Sequence, residues 1–324
     1  MAPHVTIVIP NWNGEEHFAE CLATLSEQTY TDFDIVVVDN DSSDGSVAWL
    51  KEHAPDIQLI ERAGNDGFAA AVNDGIRVAT GEYIVLLNND TAAEPAWLET
   101  LVDALEASAY DFAASLMLFY DAPELVNTAG DVFSLWHLEG RQRGARKNRS
   151  GYTQRQRVLG ASGGAVMYRR SFFDAVGLYD EDFFVLHEDT DINLRALIAG
   201  MRCVYVPESV VRHKVGSAIK KHPNPRMRRI SMRNQFIVLG KNLPAVLAPW
   251  AFVSWLWLSF RNTIPLRPAM WRLIPQRVRE YQDLLDAQRE GLNLGLSKRA
   301  EVWSRRRVGR MAVLRWLLSG VGRA

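Results

Sequence analysis

Three acidic points in this chain of 324 residues each follow a run of apolar residues, and each is placed to do oxygen chemistry on a polar ligand. The first is Asp39, after Val36-Val37-Val38 and before Asn40-Asp41-Ser42-Ser43-Asp44-Gly45. A carboxylate there can accept hydrogen bonds from a nucleobase or ribose; it equally suits a turn and an N-cap, with Ser42 or Ser43 opening the next helix. The second is Asn88-Asn89-Asp90, which closes the apolar and β-branched run from Tyr83 to Leu87. Asn and Asp favour a polar turn, and Asp90 as a hard oxygen ligand suits a divalent cation held against a diphosphate. The third is Glu188-Asp189-Thr190-Asp191, after the aromatic pair Phe183-Phe184. One or two such carboxylates suffice at a helix start. Three packed together repel one another and raise at least one pKa, which is how a general base is tuned. His213 is either a satisfied structural imidazole or a second ligand for the same cation.

Such side chains need a frame. The first 120 residues alternate strand and helix patterns at short spacing, which predicts parallel βαβ units. Strands are expected over 5–9, 35–38, 57–60 and 83–87, and helices over 15–27, 43–53, 68–79 and from Pro95. In an open α/β sheet, ligands lie outside the carboxyl ends of the strands, so Asp39, Asp90 and Asp189 are expected along one edge. From 131 to 157 the pattern dissolves. Residues 139–157 hold seven Lys+Arg against one Glu and read as a mobile basic loop, either a linker or a flap over an anionic ligand. Order returns with a strand ending at Tyr168, preceded by Gly163 and Gly164, which would let a ligand approach the backbone. A helix over 189–199 stopped by Gly200 follows, then a strand over 203–206.

The composition is 48% hydrophobic and 10% aromatic, enough for a substantial core and incompatible with global disorder. Cys21 and Cys203 have no metal-ligand spacing and read as buried free thiols in a reducing compartment. The N-terminus lacks the basic segment, apolar run and cleavage site of a signal peptide. The net charge of −1 hides an asymmetry: residues 1–260 carry 23 Lys+Arg against 33 Asp+Glu, and residues 261–324 carry 14 against 5. An acidic body would hold the chemistry, and a basic tail would meet something anionic. Residues 243–260 are uncharged and contain Trp250, Trp255 and Trp257, with Pro244 and Pro249 interrupting the first half. That length is at the lower limit for a span, and Trp suits the headgroup interface. Further on, Val308, Met311, Leu314, Leu317 and Leu318 interleave with Arg305, Arg306, Arg307, Arg310 and Arg315, the composition of a basic amphipathic helix on an anionic bilayer. A membrane surface is therefore expected as the tail's partner rather than nucleic acid, with packing on the body as the alternative.

The residues also resemble glycosyltransferase family 2, in particular its bacterial rhamnosyltransferase-like branch. The matching segments are Ile9 to Gly14; Gln28-Thr29-Tyr30 with Val37 to Ser46; Asn65-Asp66-Gly67-Phe68 with Asn73 and Gly75; Leu86 to Asp90; Gly177 to Asp180 through Glu188 to Asp191; His213 to Ser217; and Arg233-Asn234. They run in order over roughly three quarters of the chain. The resemblance implies a GT-A fold: α/β and Rossmann-like, with a mostly parallel central sheet flanked by helices. It implies a catalytic domain over 1–240, with a nucleotide-sugar half to about 120 and an acceptor half after it, and a helical extension over 241–324. It further implies an inverting transferase that uses a nucleotide-diphospho-sugar, dTDP-rhamnose or a UDP-sugar, with Mg²⁺ or Mn²⁺. The acceptor would be a hydroxyl of an envelope glycan or lipid-linked glycan, met at the cytoplasmic face of the inner or plasma membrane. By carry-over Asp39 reads the nucleoside beside Pro10, Asn11 and Asn13. Asp41, Asn65, Gly67, Phe68, Asn73, Asn88 and Asn89 also fall on the donor side, with Arg233 on the leaving diphosphate. Asp90 and His213 become metal ligands, and Asp189 the general base supported by Glu188 and Asp191. Gly163 and Gly164 fall on the acceptor side. In one departure, Asn88 stands where a full DXD motif has its first Asp. This weakens the expected metal affinity and raises the alternative of a non-catalytic nucleotide-sugar-binding scaffold. A nucleotidyltransferase would want a cationic first loop, which Asn11-Trp12-Asn13-Gly14 does not supply.

Overall fold

The most apolar runs of the sequence become the central strands of a ten-stranded sheet. The computed structural model describes residues 3–215, 225–263 and 274–319. Its first half runs β1 (Val5–Asn11), α1 (Glu15–Ser26), β2 (Phe33–Asp39), α2 (Ser46–His53), β3 (Gln58–Glu61), α3 (Phe68–Val78), β4 (Tyr83–Leu87), β5 (Thr91–Ala93) and α4 (Trp97–Glu106). The second half continues with β6 (Phe112–Phe119), β7 (Ala122–Thr128), β8 (Asp131–Ser134), β9 (Glu139–Gln142), β10 (Gln156–Val158), β11 (Ala165–Arg169), α5 (Ser171–Val176), α6 (Glu188–Ala199) and β12 (Cys203–His213). The C-terminal helices are α7 (Pro225–Asn242), α8 (Ala248–Thr263), α9 (Ile274–Ser304) and α10 (Arg310–Ser319).

Along the sheet the order is β10-β12-β6-β11-β4-β1-β2-β3. The block β3-β2-β1-β4 is parallel, and β4 is buried along its whole length, as expected for a strand covered on both faces. β11 runs antiparallel to both β4 and β6, while β12 is parallel to β6. That one reversal places the start of β11, just after Gly163-Gly164, at the edge where β1, β2 and β4 end. Separate apolar clusters fill the two faces of the sheet.

Residues 139–157 are more ordered than the mobile loop that their composition predicts: they supply β9 of the β8–β9 hairpin, a 3₁₀ turn at Arg149–Gly151, and β10 paired antiparallel to β12, joined by turns. The physical reason is visible at Arg143, which is buried over the rings of Tyr152 and Tyr205 and donates to the Ala129 carbonyl. Some of the basic side chains here do packing work.

The tail folds back on the body. The expected boundary at 240/241 falls inside α7, which lies along α9, with the backbones of Arg233 and Ile237 pressed against Gly291 and Gly295. α10 buries Val313, Leu314 and Leu317 in a third apolar cluster with α6, α7 and the hairpin, leaving Met311 and Leu318 exposed. Along α8, Trp250, Phe252 and Val253 are exposed. Among the described residues no helix is long and apolar enough to cross a membrane. The Trp257 side chain, Gly216 and Ser217 lie outside the described residues.

Candidate active site

The donor-side residues assemble at the carboxyl ends of β1, β2 and β4 because parallel register brings Asn11 beside Asp39. Asn11 Nδ2 donates to Asp39 Oδ1 at 2.6 Å, and Asn89 Nδ2 donates to Asn11 Oδ1 at 2.6 Å. Asp39 also accepts from the Ser42 amide at 2.9 Å and its hydroxyl at 2.6 Å, so this buried carboxylate shapes the following loop. Asn13 and Asp41 take left-handed φ values of 54° and 61°, which short polar side chains tolerate. Asn13 Oδ1 accepts from the amides of Ser43 and Asp44. Pro10 sits in β1 opposite Val38. Asn65 Oδ1 accepts from Asn40 Nδ2 and from the Gly67 amide. Gly67 is required by its backbone: φ is +92°, and a Cβ would lie 2.1 Å from the Phe184 carbonyl oxygen. The neighbouring Phe68 donates its amide to that carbonyl at 2.7 Å and packs edge-on against Tyr179.

Asn88-Asn89-Asp90 makes the expected turn off β4 and brings Asp90 against β12. Asp90 Oδ1 lies 3.0 Å from His213 Nε2, and His213 Nδ1 faces Asn127 Oδ1 at 3.1 Å. One carboxylate and one imidazole with an outer partner make a donor set suited to a divalent cation that takes its remaining ligands from phosphate oxygens. Among the described residues no group of three or more His, Cys, Asp or Glu side chains is arranged to hold a metal ion. The pair therefore fits a cation shared with a ligand and does not by itself make a closed site.

Glu188 and Asp189 of α6 face a cavity of about 910 Å³ between α6 and the β8–β9 hairpin, lined also by Asp131, Ser162, Leu135 and Trp136. The backbone enters α6 under strain: Phe184, Leu186 and His187 have φ values of 58°, 72° and 70°, each costing about 1–3 kcal/mol. Asn234 Nδ2 clamps the segment by reaching the carbonyls of Phe183, Val185 and Leu186 at 2.6–3.0 Å. Burial raises the pKa of both Glu188 and Asp189. Glu188 rises further because the Asp189 charge adds to its burial, whereas the Gly163 amide and the Ser162 hydroxyl, 3.5 Å from Oδ2, hold Asp189 down. Asp131 is pushed up to about 8 by burial and by Asp189. Of the three acids Asp189 thus best keeps its negative charge near neutral pH, which is what a base on a hydroxyl requires.

Gly163 and Gly164 connect the two corners. A Cβ on Gly163 would lie 2.7 Å from Asp189 Oδ1, and the Gly164 carbonyl accepts from the Asn88 amide at 3.0 Å. Asp189, the glycine segment, Asn88 and Asp90 are therefore consecutive neighbours along one edge.

Three expected site residues are placed elsewhere. Asp191 is wholly buried and turned from the cavity, accepting from Arg195 Nε at 2.7 Å, Lys241 Nζ at 2.9 Å and Asn242 Nδ2 at 2.7 Å. Two residues of helix, about 200° of rotation, turn its face away from that of Asp189. Arg233 does not reach the donor corner: α7 packs on α9, so the guanidinium pairs with Glu290 at 2.5 Å and donates to the Asp182 carbonyl. Asn73 is buried and ties α3 to Tyr179 and Glu181. Conversely, Ser162, Asp131 and Asn234 were not singled out by the sequence reading. Asn234 stood beside Arg233 in a matched segment, but nothing in the sequence said which of the two would face the site.

A GT-A glycosyltransferase is the class that this fold defines, with Asn11, Asp39 and Asn89 bonded together at one end of the sheet edge and the buried Asp189 at the other. Residues 6–177, just over half of the chain, match Glycosyl transferase family 2, and the chain belongs to that family. It is similar to an N-acetylglucosaminyl-diphospho-decaprenol L-rhamnosyltransferase of Mycobacterium tuberculosis, at 26% identity over 69% of this chain and 80% of that protein. It is also similar to the uncharacterized glycosyltransferase YibD of Escherichia coli, at 35% identity over 30% of this chain, which spans only 29% of that protein. Among solved structures it resembles the mannosyltransferase PcManGT from Pyrobaculum calidifontis in complex with GDP-Man and Mn²⁺, with a TM-score of 0.53 and 19% identity over 98% of this chain and 88% of that one. It resembles S. aureus TarS 1–349 in complex with UDP with a TM-score of 0.55 and 14% identity over 98% and 92%. At these identities the likeness to the solved structures is one of fold.

Proposed function

We propose that this glycosyltransferase inverts the anomeric centre of a nucleotide-diphospho-sugar, with Asp189 as the base that deprotonates the acceptor hydroxyl. The observation that carries the reading is the pairing of a charge-retaining buried carboxylate with a donor corner only a glycine segment away. Inversion needs a single in-line displacement. Asp189 takes the acceptor proton as the hydroxyl attacks, and the nucleotide diphosphate leaves on the opposite side. Glu188, kept neutral by burial, adds no competing charge beside the forming bond. The Asn11–Asn89 bridge and the Asp39 loop hold the nucleotide end. Asp90 and His213 would hold a divalent cation, Mn²⁺ or Mg²⁺, which when bound neutralises charge on the leaving diphosphate. The Mn²⁺ in the mannosyltransferase complex supports a divalent cation in an enzyme of this fold.

The named activity of the mycobacterial relative supports dTDP-rhamnose as the first donor to try and a lipid-linked glycan as the acceptor, with UDP-sugars next. A peripheral position on the cytoplasmic face of the plasma membrane suits such an acceptor. It is also favoured by Trp136, 62% exposed at the cavity rim, and by the exposed Trp250, Phe252 and Val253 of α8. The test is a thermal-shift panel of nucleotide sugars followed by transfer assays on wild type and Asp189→Asn. The variant is expected to keep donor-induced stabilisation and lose about 10²–10⁴-fold in turnover. Full turnover in Asp189→Asn refutes the base assignment, and a panel in which no nucleotide sugar stabilises the protein refutes the donor class.

A further inference from the structure

We propose that Asp131 belongs to the acceptor subsite, where its side chain hydrogen-bonds a hydroxyl of the acceptor sugar adjacent to the one that Asp189 deprotonates. The proposal rests on the reading of Asp189 as the base. Asp131 opens β8 in the hairpin wall of the cavity that Glu188 and Asp189 line from α6. Its backbone is firmly set: the amide donates to the Gly160 carbonyl at 2.8 Å. Asn193, one turn past Asp189 on α6, holds Ala161 through its carbonyl at 2.9 Å and its amide at 3.3 Å. Asp131 is only 9% exposed, yet its carboxyl has two long hydrogen bonds, from Asn193 Nδ2 at 3.4 Å and Thr128 Oγ1 at 3.5 Å. A buried acid that serves packing normally has a full set of close partners. Across the same cavity Glu188, 8% exposed, carries an Oε2 with no hydrogen-bond partner among the described residues. Two under-bonded buried acids lining one cavity beside the base call for a ligand rich in hydroxyls between them.

Burial and the Asp189 charge favour the neutral form of Asp131, and the Thr128 hydroxyl opposes them more weakly. Glu188 of α6 lines the same cavity, and Tyr168 of β11 and Cys203 of β12 feel the Asp131 charge, with burial holding the phenol and the thiol neutral. Arg157 of β10 acts on that same thiol, and Arg143 of the hairpin is engaged by Tyr152, Tyr205 and the Ala129 carbonyl. Near neutral pH Asp131 is therefore a neutral acid that can both donate and accept, the match for a sugar hydroxyl. When it ionises, it loses the donor and places a second negative charge beside the base.

The test uses the full chain, the nucleotide sugar that stabilises it best, and a chloroform–methanol extract of bacterial membranes as acceptor at varied dilution. Asp131→Ala is expected to raise the apparent KM for the extract about tenfold while leaving the donor KM unchanged. Asp131→Asn, a neutral side chain of the same shape, is expected to recover most of that loss. Above about pH 8 wild type is expected to lose acceptor affinity, and Asp131→Asn to lack that alkaline limb. Unchanged acceptor KM and pH profile in both folded variants overturns the proposal, as does a parallel loss of donor and acceptor affinity. If Asp189→Asn, assayed alongside, turns over like wild type, the base reading fails first and this proposal with it.

Discussion

Replacing Asp191 by Asn separates stability from chemistry at the start of α6. The Asp191 carboxylate is fully buried and joins α6 to α7 through Arg195, Lys241 and Asn242, and Lys241 also pairs with Asp180 at 2.6 Å. Removing one partner of a buried ion pair costs about 3–5 kcal/mol, because the remaining charge stays desolvated. Asn keeps one acceptor oxygen, so the lower end, about 3 kcal/mol, is expected. Unfolding entropy of about 2.1 cal/mol/K per residue over 324 residues gives about 0.7 kcal/mol/K, so Tm should fall by about 4 °C. Differential scanning calorimetry at pH 7 measures this, with donor-saturated turnover below the transition staying near wild type. The pH dependence has a definite sign. Burial alone would raise the Asp191 pKa, but Lys241 and Arg195 hold it below its ordinary value. Its contribution is therefore present above the unfolded value of about 3.9 and lost as pH falls through and below it. The Tm gap between wild type and variant should be full at pH 7 and close below about pH 4. An unchanged Tm together with a hundredfold loss of turnover would refute the structural role and return Asp191 to the catalytic set.

Two further outcomes follow from the site geometry. Gly163→Ala puts a Cβ 2.7 Å from Asp189 Oδ1 and 3.0 Å from the Phe68 ring, so the base must move. Steady-state kinetics should show turnover falling about tenfold or more while donor binding holds, and wild-type turnover would contradict the assigned contact. Asp90→Ala and His213→Ala should each abolish the Mn²⁺-dependent part of donor-induced thermal stabilisation. A stabilisation that remains equally Mn²⁺-dependent in both variants would remove the pair as cation ligands.

The strands of the nucleotide half, the helix stop at Gly200 and the placement of Asp39, Asp90 and Asp189 on one edge were legible in the sequence, because local periodicity and the topology of parallel sheets fix them. The β8–β9 hairpin was not: its basic residues mimic a solvated loop, and only the aromatic partners Tyr152 and Tyr205, one of them on a distant strand, bury Arg143. Likewise, Glu188, Asp189 and Asp191 look equivalent in a list of carboxylates. The helix period decides which two face the cavity and which faces Lys241.

By itself, then, the sequence determined the family, the α/β class and the acids available for chemistry, because residue type and short-range spacing carry that information. Only the tertiary structure decided which acid can hold a charge, since that depends on desolvation and on donors such as Ser162 and Gly163 brought from another segment. It put Asp90 and His213, expected as a pair, 3.0 Å apart, spent Asp191 and Arg233 on helix packing, and brought Asp131 to the wall of the cavity that Asp189 lines.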